Sequence, residues 1–396
     1  MLLENLIFRG PSTASAPPGP PSHLTATAVS QTEIDLKWSP STSGVQGYRI
    51  ERYGTGGRFS FLDSILADVL TYEDGGLFCD ARFFYRVAAF NSAGLSGYSN
   101  VSQATTPIDA FSMGLGASSN DLKRIFSIGR DVCFAVGKKG TLVRSMDDGA
   151  TWDTLSSRTT YNLNGIFFSG SDVGMAVGAG GTILRTTDGG EAWTRQQSGT
   201  TSELMAVTCA GQDLWIAAGS AGKILRSTDG GNNWTSRVLG NKTLKSISFA
   251  SQNAGTVVGY SGMILATVDG GTNWIQRASG VATNLLDVSF SGPNSGTVVG
   301  PPGLVLQTSD GGSNWTVQPI GASATLYGIS YADTSKGIAV GSSGTVLHTT
   351  DGGKTWTSQI SGVKTALRSI AFEDGQVAVA VGDFGTAVTI STCDRP

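Results

Sequence analysis

Hydrophobic and polar residues alternate in short runs along most of the chain, and turn residues separate the runs. Examples are HLTATAVS at 23–30, EIDLKWSP at 33–40 and LKSISFA at 244–250. An alternation with a period of two predicts β-strands that bury one face and expose the other. The apolar runs fall well short of the ~20 residues that a membrane-spanning helix requires, so we expect no membrane insertion. The pattern therefore predicts an all-β protein.

A repeating unit with a step of about 41 residues fills the chain from residue 109 onward. In each unit, Gly preceded by two Ala or Val residues ends the second predicted strand. Seven such glycines occur, at Gly137, Gly178, Gly219, Gly259, Gly300, Gly341 and Gly382. A period near 40 residues with four short strands per unit is typical of a propeller blade. The sequence therefore predicts a seven-bladed β-propeller.

Six of the units carry the phrase S/T-x-D-x-G-x-x-W between the third and fourth predicted strands. The Asp carboxylate can accept backbone N–H groups of its own turn, and the second Gly can adopt a positive φ. The Trp can bury a large apolar face between neighbouring sheets. Because one carboxylate per turn is too few for calcium, we interpret the phrase as structural and predict no metal site. The residues concerned are Asp147, Trp152, Asp188, Trp193, Asp229, Trp234, Asp269, Trp274, Asp310, Trp315, Asp351 and Trp356.

The seventh unit ends in GTAVTISTCDRP and lacks the Asp-Gly turn, the Trp and the fourth strand. In most other units the Trp stands 11 residues before the Leu that opens the next unit, as Trp152 does before Leu163. The same step leads back from Leu122 to Phe111. We therefore predict that residues 109–117 close the seventh blade, with Phe111 in the place of the Trp.

The first hundred residues differ from the repeats. Residues 11–22, PSTASAPPGPPS, are typical of an extended Pro-rich linker. We divide the chain into an N-terminal arm at 1–22, a sandwich domain at 23–107 and a propeller at 108–396. The sandwich resembles a fibronectin type III domain, and the resemblance is carried by Leu24, Trp38, Tyr48, TYEDGGL at 71–77 and YRVAAFNSAGLSGYSN at 85–100.

The six Asp-Gly phrases resemble the Asp-box (BNR) repeat. The wider unit, VGxxGTILRTTDGGxxW, resembles the Ycf48-like propellers, named for a photosystem II assembly factor, over about 109–396. This resemblance implies a protein that binds partner proteins through an arginine-rich surface. In this chain such a surface would consist of Arg144, Arg185 and Arg226, which stand at equivalent positions in three consecutive units. The alternative is that these arginines pair with acids beside the boxes, such as Asp148.

Two further groups of residues are candidate binding sites. Alternation along the first strand of each unit predicts that Arg124 and Asp287 face the central channel, where they could hold a ligand or form an ion pair. Tyr161, Tyr260 and Phe384 fall in loops. There they could stack on a sugar, fill a pocket of a partner or simply be solvated.

Composition narrows the chemistry further. The formal net charge is -3, so we expect no nucleic-acid partner. Two His and four widely spaced Cys show no pattern of metal ligands, and we predict no cofactor. A glycosidase needs two carboxylates that face each other across a cleft. Here the first strands of the units are predicted to supply Asp287 alone, and Asp383 is predicted to lie in a loop. We therefore predict no catalytic residues.

Together these features predict a non-enzymatic structural or binding protein. We expect a decoration or adhesion subunit of a larger extracellular or virion assembly, anchored by the N-terminal arm and able to oligomerise through that assembly. Its partner would be a protein, with a glycan as the second candidate. The start, MLLENLIFRG, lacks a basic n-region, so no signal peptide is recognisable. The alternatives are a secreted carbohydrate- or protein-binding module and, least favoured, a sialidase-like glycoside hydrolase.

Overall fold

The structure is a computed structural model of the chain. It describes residues 16–30, 33–41, 44–53, 58–77, 81–106, 110–114, 119–129, 131–211, 213–359, 361–373, 375 and 377–391. The chain divides into two compact units, Met1–Asp109 with Cys393–Pro396, and Ala110–Thr392. In the described residues the helical segments are short 3-10 turns, such as Lys138–Gly140. No helix among them has the length and apolar character that crossing a membrane requires.

The first unit is a β-sandwich of two antiparallel sheets. Its described strands are β1 (Ser22–Ser30), β2 (Glu33–Ser39), β3 (Gly47–Tyr53), β4 (Ser60–Leu66), β5 (Thr71–Asp74), β6 (Arg82–Asn91), β7 (Gly94–Tyr98) and β8 (Ser102–Thr105). One sheet has the order β1-β2-β5, and the other has the order β4-β3-β6-β7 with β8 paired to β6. Trp38, Tyr48 and Tyr85 are buried in one core cluster, and the rings of Trp38 and Tyr48 meet edge to face at 5.5 Å. Alternating inward residues thus produce the sandwich.

The second unit begins with a short strand, β9 (Ala110–Gly114). Six four-stranded antiparallel sheets follow, and the last three strands form a seventh four-stranded sheet with β9. We name the strands of each sheet A to D in the order of pairing. Blade 1 consists of β10 (Leu122–Ser127), β11 (Cys133–Gly137), β12 (Leu142–Ser145) and β13 (Asp153–Thr154). Blade 2 consists of β14 (Leu163–Phe168), β15 (Gly174–Gly178), β16 (Ile183–Thr186) and β17 (Thr194–Gln196). Blade 3 consists of β18 (Leu204–Cys209), β19 (Trp215–Gly219), β20 (Lys223–Ser227) and β21 (Thr235–Val238).

The remaining blades follow the same order. Blade 4 consists of β22 (Leu244–Phe249), β23 (Gly255–Gly259), β24 (Ile264–Thr267) and β25 (Ile275–Arg277). Blade 5 consists of β26 (Asp287–Phe290), β27 (Gly296–Gly300), β28 (Leu304–Thr308) and β29 (Thr316–Gln318). Blade 6 consists of β30 (Leu326–Tyr331), β31 (Gly337–Gly341), β32 (Val346–Thr349) and β33 (Thr357–Gln359). Blade 7 consists of β34 (Leu367–Phe372), β35 (Val377–Gly382), β36 (Thr386–Ser391) and β9. The described residues therefore form a seven-bladed propeller.

Strand β9 joins the beginning of the propeller to its end. It pairs antiparallel with β36, so that the backbone of Phe111 lies opposite Thr389. Blades 1 and 7 also share a buried cluster that includes Ile125 and Val381. The ring is thus closed by hydrogen bonds and by packing, and β9 covers the edge of β36 that would otherwise lack a partner strand. The side chain of Phe111 and residues 109 and 115–117 lie outside the described residues, so the role of Phe111 in the place of the Trp stays a prediction.

The pairing of the strands defines two faces of the propeller. The first residue of strand A pairs with the last residue of strand B, as Leu122 does with Gly137. The B–C and D–A connections therefore lie at one end of each blade, which we call the upper face. The A–B and C–D connections lie at the other end, the lower face, which carries the Asp boxes.

The Asp carboxylate of each box accepts hydrogen bonds within its own turn. In blade 3, the Asp229 carboxylate accepts hydrogen bonds from the Asn233 N–H at 2.9 Å and from the Ser227 hydroxyl at 2.7 Å. These donors, with the side-chain amide of Asn233, lower the pKa of Asp229 to about 2. The Gly231 N–H donates back to the Ser227 hydroxyl at 2.9 Å, and the Trp234 indole N–H donates to the Gly231 carbonyl at 3.0 Å. The carboxylate is therefore engaged by the fold itself.

The Trp of the box ties neighbouring blades together. Trp193 of blade 2 packs in one cluster with Phe134 of blade 1, at 6.5 Å between ring centroids. Gly190 of the same box has a φ of 88°, and a Cβ on it would lie 2.5 Å from the Phe134 ring. Only glycine meets both demands, because the conformation and the close contact each exclude a side chain.

Candidate functional site

The central channel is lined by the A strands and is narrow because their backbones approach closely. A cavity of 260 Å³ lies within it. A Cβ on Gly165 would lie 3.0 Å from the Ala206 Cα, and a Cβ on Gly328 would lie 2.9 Å from the Ser369 Cα. Small residues at these positions are thus required by the spacing of the blades.

Arg124 and Asp287 meet across this channel, from blades 1 and 5. The Arg124 Nη1 lies 2.8 Å from the Asp287 Oδ1. The same oxygen accepts a hydrogen bond from the Ser246 hydroxyl at 2.5 Å, and Asp287 Oδ2 accepts the backbone N–H of Ile329 at 3.0 Å. Asp287 is 1% exposed, so these contacts satisfy a carboxylate that is shielded from water. The pair spans the channel as an internal brace.

The need for this brace follows from the position of strand A at the inner edge of each sheet. An edge strand has backbone N–H groups without a ladder partner, and these must find another acceptor when they are buried. Asp287 supplies one for Ile329 of the next blade, and the Ser369 hydroxyl supplies one for Ile125 at 3.3 Å. Of the two interpretations of Arg124 and Asp287, the ion pair describes the observed contacts.

The three arginines of strand C reach the Asp box of the following blade. Arg185 Nε donates to the Gly230 carbonyl at 3.0 Å, and Arg226 Nε donates to the Gly270 carbonyl at 2.8 Å. Arg144 instead pairs with Glu191, through Nη1 and Oε1 at 2.5 Å.

These contacts make the arginines bridges between blades. Asp148, which the sequence suggested as a partner of Arg144, is not the acid that Arg144 contacts among the described residues; the partner is Glu191, beside the next box. Arg185 and Arg226 each make their carbonyl contact through Nε. The arginines therefore combine an inter-blade role with a place on the lower part of the propeller.

The three aromatic candidates lie on the upper face but in different blades. Tyr161 is 51% exposed, Tyr260 36% and Phe384 75%. Tyr161 lies 6.0 Å below the Arg195 guanidinium and Tyr260 lies 5.9 Å from the Lys245 ammonium, measured to the ring centroids. The structure thus pairs two of these rings with cations but does not bring the three rings together among the described residues.

Charge is divided between the two faces, a feature that sequence analysis missed. In the described loops of the upper face and the adjoining first residues of strands A and C, basic side chains are Lys123, Lys138, Lys139, Arg158, Lys223, Lys242, Lys245, Lys364 and Arg368, and acidic ones are Asp121, Glu203, Asp287 and Asp383. In the described loops of the lower face and the adjoining last residues of strand C, basic side chains are Arg144, Arg185, Arg226, Lys336 and Lys354, and acidic ones are Asp131, Asp147, Asp148, Asp172, Asp188, Glu191, Asp213, Asp229, Asp269, Asp310, Asp333 and Asp351.

This division was hidden because the overall charge of -3 averages the two faces. Sorting the charged residues by loop type along the repeat would have revealed it from sequence alone. A broad basic face with exposed aromatic rings favours contact with an acidic partner. Within the described residues, no group of three or more His, Cys, Asp or Glu side chains could hold a metal ion.

The folds of the two units define the class of the protein: an all-β chain with a sandwich and a seven-bladed Asp-box propeller. Residues 19–105 match the family model of the fibronectin type III domain. Residues 146–244 and 237–324 match that of the photosynthesis system II assembly factor YCF48. The chain therefore combines a fibronectin type III domain with a Ycf48-like propeller.

Solved structures show the same propeller fold. One described as YCF48 bound to D1 peptide has a TM-score of 0.61 at 21% identity, over 72% of this chain and 97% of that chain. YCF48 from Cyanidioschyzon merolae has a TM-score of 0.61 at 19% identity, over 71% and 98%. The WD40 β-propeller domain of Doa1 has a TM-score of 0.60 at 11% identity, over 71% and 95%. At these identities the likeness concerns the fold alone.

Proposed function

We propose that the propeller binds an acidic segment of a partner protein on its upper face. The observation that carries this proposal is the division of charge between the two faces. A face rich in Lys and Arg attracts an acidic partner over several ångströms and orients it before contact. Exposed rings such as Tyr260 can then contribute close contacts within the complex.

The comparisons agree with a protein ligand. A similar propeller is described as bound to a D1 peptide, so a propeller of this type is able to hold a peptide. In this chain the channel itself is braced by Arg124 and Asp287, which supports binding on the face rather than through the ring.

The contacts of the available carboxylates support a non-enzymatic role. Asp287 uses both oxygens within the fold, and Asp383 is held by two hydrogen bonds from Arg368 at 2.8 and 2.7 Å. Glycoside hydrolysis requires a pair of carboxyl groups that flank a substrate and remain free to act. We therefore favour a binding protein over the sialidase-like alternative.

At the level of the whole chain, we infer a decoration or adhesion subunit of a larger extracellular or virion assembly. The sandwich would act as a spacer, and residues 1–22 would form the anchor. Comparing the native size of the full chain in its source material with that of a variant lacking residues 1–20 tests this role. The role is supported if the full chain is found in a very large particle and the truncated chain is not. It is contradicted if both chains are free monomers.

Binding to the upper face can be tested with a fluorescein-labelled decaglutamate peptide and fluorescence anisotropy. The variant Lys139→Glu/Arg158→Glu/Lys242→Glu should bind at least about tenfold more weakly, and raised salt should weaken the wild type. The control Lys336→Glu/Lys354→Glu reverses charges on the lower face and should bind within about twofold of the wild type. Equal losses in both variants would refute the assignment to the upper face. Saturable binding of a neutral glycan, lost in Tyr260→Ala, would instead favour the carbohydrate-binding alternative.

A further inference from the structure

A β-bulge at the start of strand A creates a second ring of side chains above the channel. In blade 1, Leu122 pairs with Gly137 while Arg124 pairs with Val136, so that Lys123 is an extra residue in the strand. The same shift occurs in five other blades. A bulge redirects the side chain of the inserted residue and breaks the alternation of the strand. We call the ring of residues that precede the axial positions the channel mouth: Lys123, Asn164, Met205, Lys245, Leu286, Tyr327 and Arg368.

Side chains of the channel mouth extend from one blade to the next. Lys123 Nζ donates to Asn164 Oδ1 at 2.7 Å, and Asn164 Nδ2 donates to Glu203 Oε1 at 3.0 Å. The Arg368 guanidinium lies 4.3 Å from the centroid of the Tyr327 ring. These contacts join polar groups of neighbouring blades at two places around the entrance.

Lys245 has weaker acceptors than the other cations at this entrance, where Lys123 donates to the Asn164 amide oxygen. Arg124 pairs with Asp287, and Arg368 pairs with Asp383. Among the residues that the structure describes, no carboxylate forms an ion pair with Lys245. Its ammonium lies 3.8 Å from the weak acceptor Met205 Sδ and 5.9 Å from the centroid of the Tyr260 ring.

The Lys245 ammonium, whose acceptor is a sulfur atom, has the chemistry of an anion site. Lys245 is half-buried, and burial, followed by the charge of Lys123, lowers its pKa. An ammonium group has three N–H donors, and a sulfur atom satisfies one of them poorly. Partial burial restricts water as a substitute, so an anion that reaches this point would gain a strong charge-assisted hydrogen bond.

We propose that Lys245 anchors a carboxylate-binding site at the channel mouth, which takes one carboxylate of an acidic peptide, from the chain end or from an Asp or Glu side chain. This inference rests on the proposed binding of an acidic segment to the upper face. A single negative charge fits because the ammonium groups of Lys123 and Lys245 share one nearby carboxylate, Glu203, which leaves one positive charge to be balanced. The Arg124–Asp287 pair follows one residue further along the channel and limits how deep the ligand can enter.

The test uses decaglutamate labelled with fluorescein at its N-terminus, prepared with a free C-terminal carboxylate and with a C-terminal amide. Fluorescence anisotropy gives the affinity of each peptide for the wild type, Lys245→Met, Lys245→Arg and the control Lys354→Met on the lower face. Lys245→Met should weaken binding at least about tenfold, because a hydrogen bond to a charged group is lost. Lys245→Arg should retain most of the affinity, and Lys354→Met should change it less than about twofold.

The two peptides separate the sources of the carboxylate. A loss on amidation that matches the effect of Lys245→Met assigns the site to a chain end, and equal binding of both peptides assigns it to a side chain. If Lys245→Met binds as well as the wild type, the carboxylate site at Lys245 is refuted. In that case, weaker binding by Lys139→Glu/Arg158→Glu/Lys242→Glu would still support the proposal that acidic peptides bind to the upper face. If the wild type binds neither peptide, both proposals fail.

A second measurement does not depend on the stability of the Met variant. Reductive methylation with 13C-formaldehyde gives a resolved signal for each lysine, and the Lys245 signal is identified by its loss in Lys245→Arg. Addition of decaglutamate should shift the Lys245 signal more than that of Lys354. An unshifted Lys245 signal at saturating peptide would overturn the proposal.

Discussion

The brace across the channel leads to the most direct prediction about stability. Asp287→Asn keeps the size of the side chain but removes its charge and one of its two acceptor oxygens. The carboxylate now serves Arg124 and Ser246 with one oxygen and the Ile329 N–H with the other. An asparagine oxygen can serve one of these groups well, so at least one buried donor loses its acceptor and Arg124 loses its counter-charge.

The expected cost can be estimated from the burial of the partners. Removing one member of a fully buried ion pair costs about 3–5 kcal/mol. Here the Asp287 side chain is 2% exposed but the Arg124 side chain is 29% exposed, so water can solvate part of the released cation. We therefore expect Asp287→Asn to lower the free energy of unfolding by about 2–3 kcal/mol.

Urea unfolding followed by circular dichroism measures this change. The control is Ser289→Ala, two residues further along β26, which should alter the free energy of unfolding by less than about 0.5 kcal/mol. Arg124→Met combined with Asp287→Asn should cost less than the sum of the two single changes, because the unpaired cation is then absent. If Asp287→Asn is as stable as the control and instead loses peptide binding, the pair is a ligand site and the structural interpretation is wrong.

Three further predictions concern pH and closure of the ring. Burial, with the nearby Asp148 carboxylate, raises the pKa of Glu373 to about 8, above the ordinary value of 4.5. The stability that the neutral form contributes is therefore present below about pH 4.5 and lost as the pH rises through about 8. Relative to Glu373→Gln in urea unfolding, the wild type should lose on the order of 3 kcal/mol between about pH 5 and pH 8, and parallel curves would contradict this. Ser112→Pro in β9 should lower the unfolding midpoint more than Ser358→Pro in β33, since β9 closes the ring; equal shifts would oppose that role. The Asp269 carboxylate should titrate near pH 2 by 13C NMR, with its signal identified in Asp269→Asn, because its turn donors lower its pKa to about 2; an ordinary titration would show that those hydrogen bonds are absent in solution.

Much of the fold could be predicted because each blade repeats the same physical solution. The box phrase combines a turn carboxylate, a glycine and a Trp, and all three requirements are local to the turn. The alternation of strand A also places Arg124 and Asp287 on the channel side, since the period of two determines which face a residue occupies. Their direct contact at 2.8 Å depends on the width of the ring, which the sequence does not display.

The channel mouth could not be predicted from alternation, because the bulge breaks the period at that point. Lys123 and Arg124 are consecutive residues, yet both make contacts at the entrance and axis of the channel. The partner of Arg144 was missed for a different reason. Glu191 belongs to the next blade, and the packing of two blades brings it within 2.5 Å of the arginine. Contacts between repeats depend on tertiary spacing, which a single repeat does not encode.

The two charged faces differ in what they say about function. The acidic lower face is in part a consequence of the fold, because a carboxylate in each Asp box is bound by its own turn, as Asp229 is by Asn233 and Ser227. Its charge would be present whatever the protein binds. The upper loops have no comparable requirement, since their turns use backbone hydrogen bonds and Ser or Thr hydroxyls, such as Ser157 to the Gly140 carbonyl, while lysines such as Lys242 and Lys364 are exposed. A basic upper face is therefore the part of the charge pattern that the fold does not explain, and this is why we assign partner binding to it.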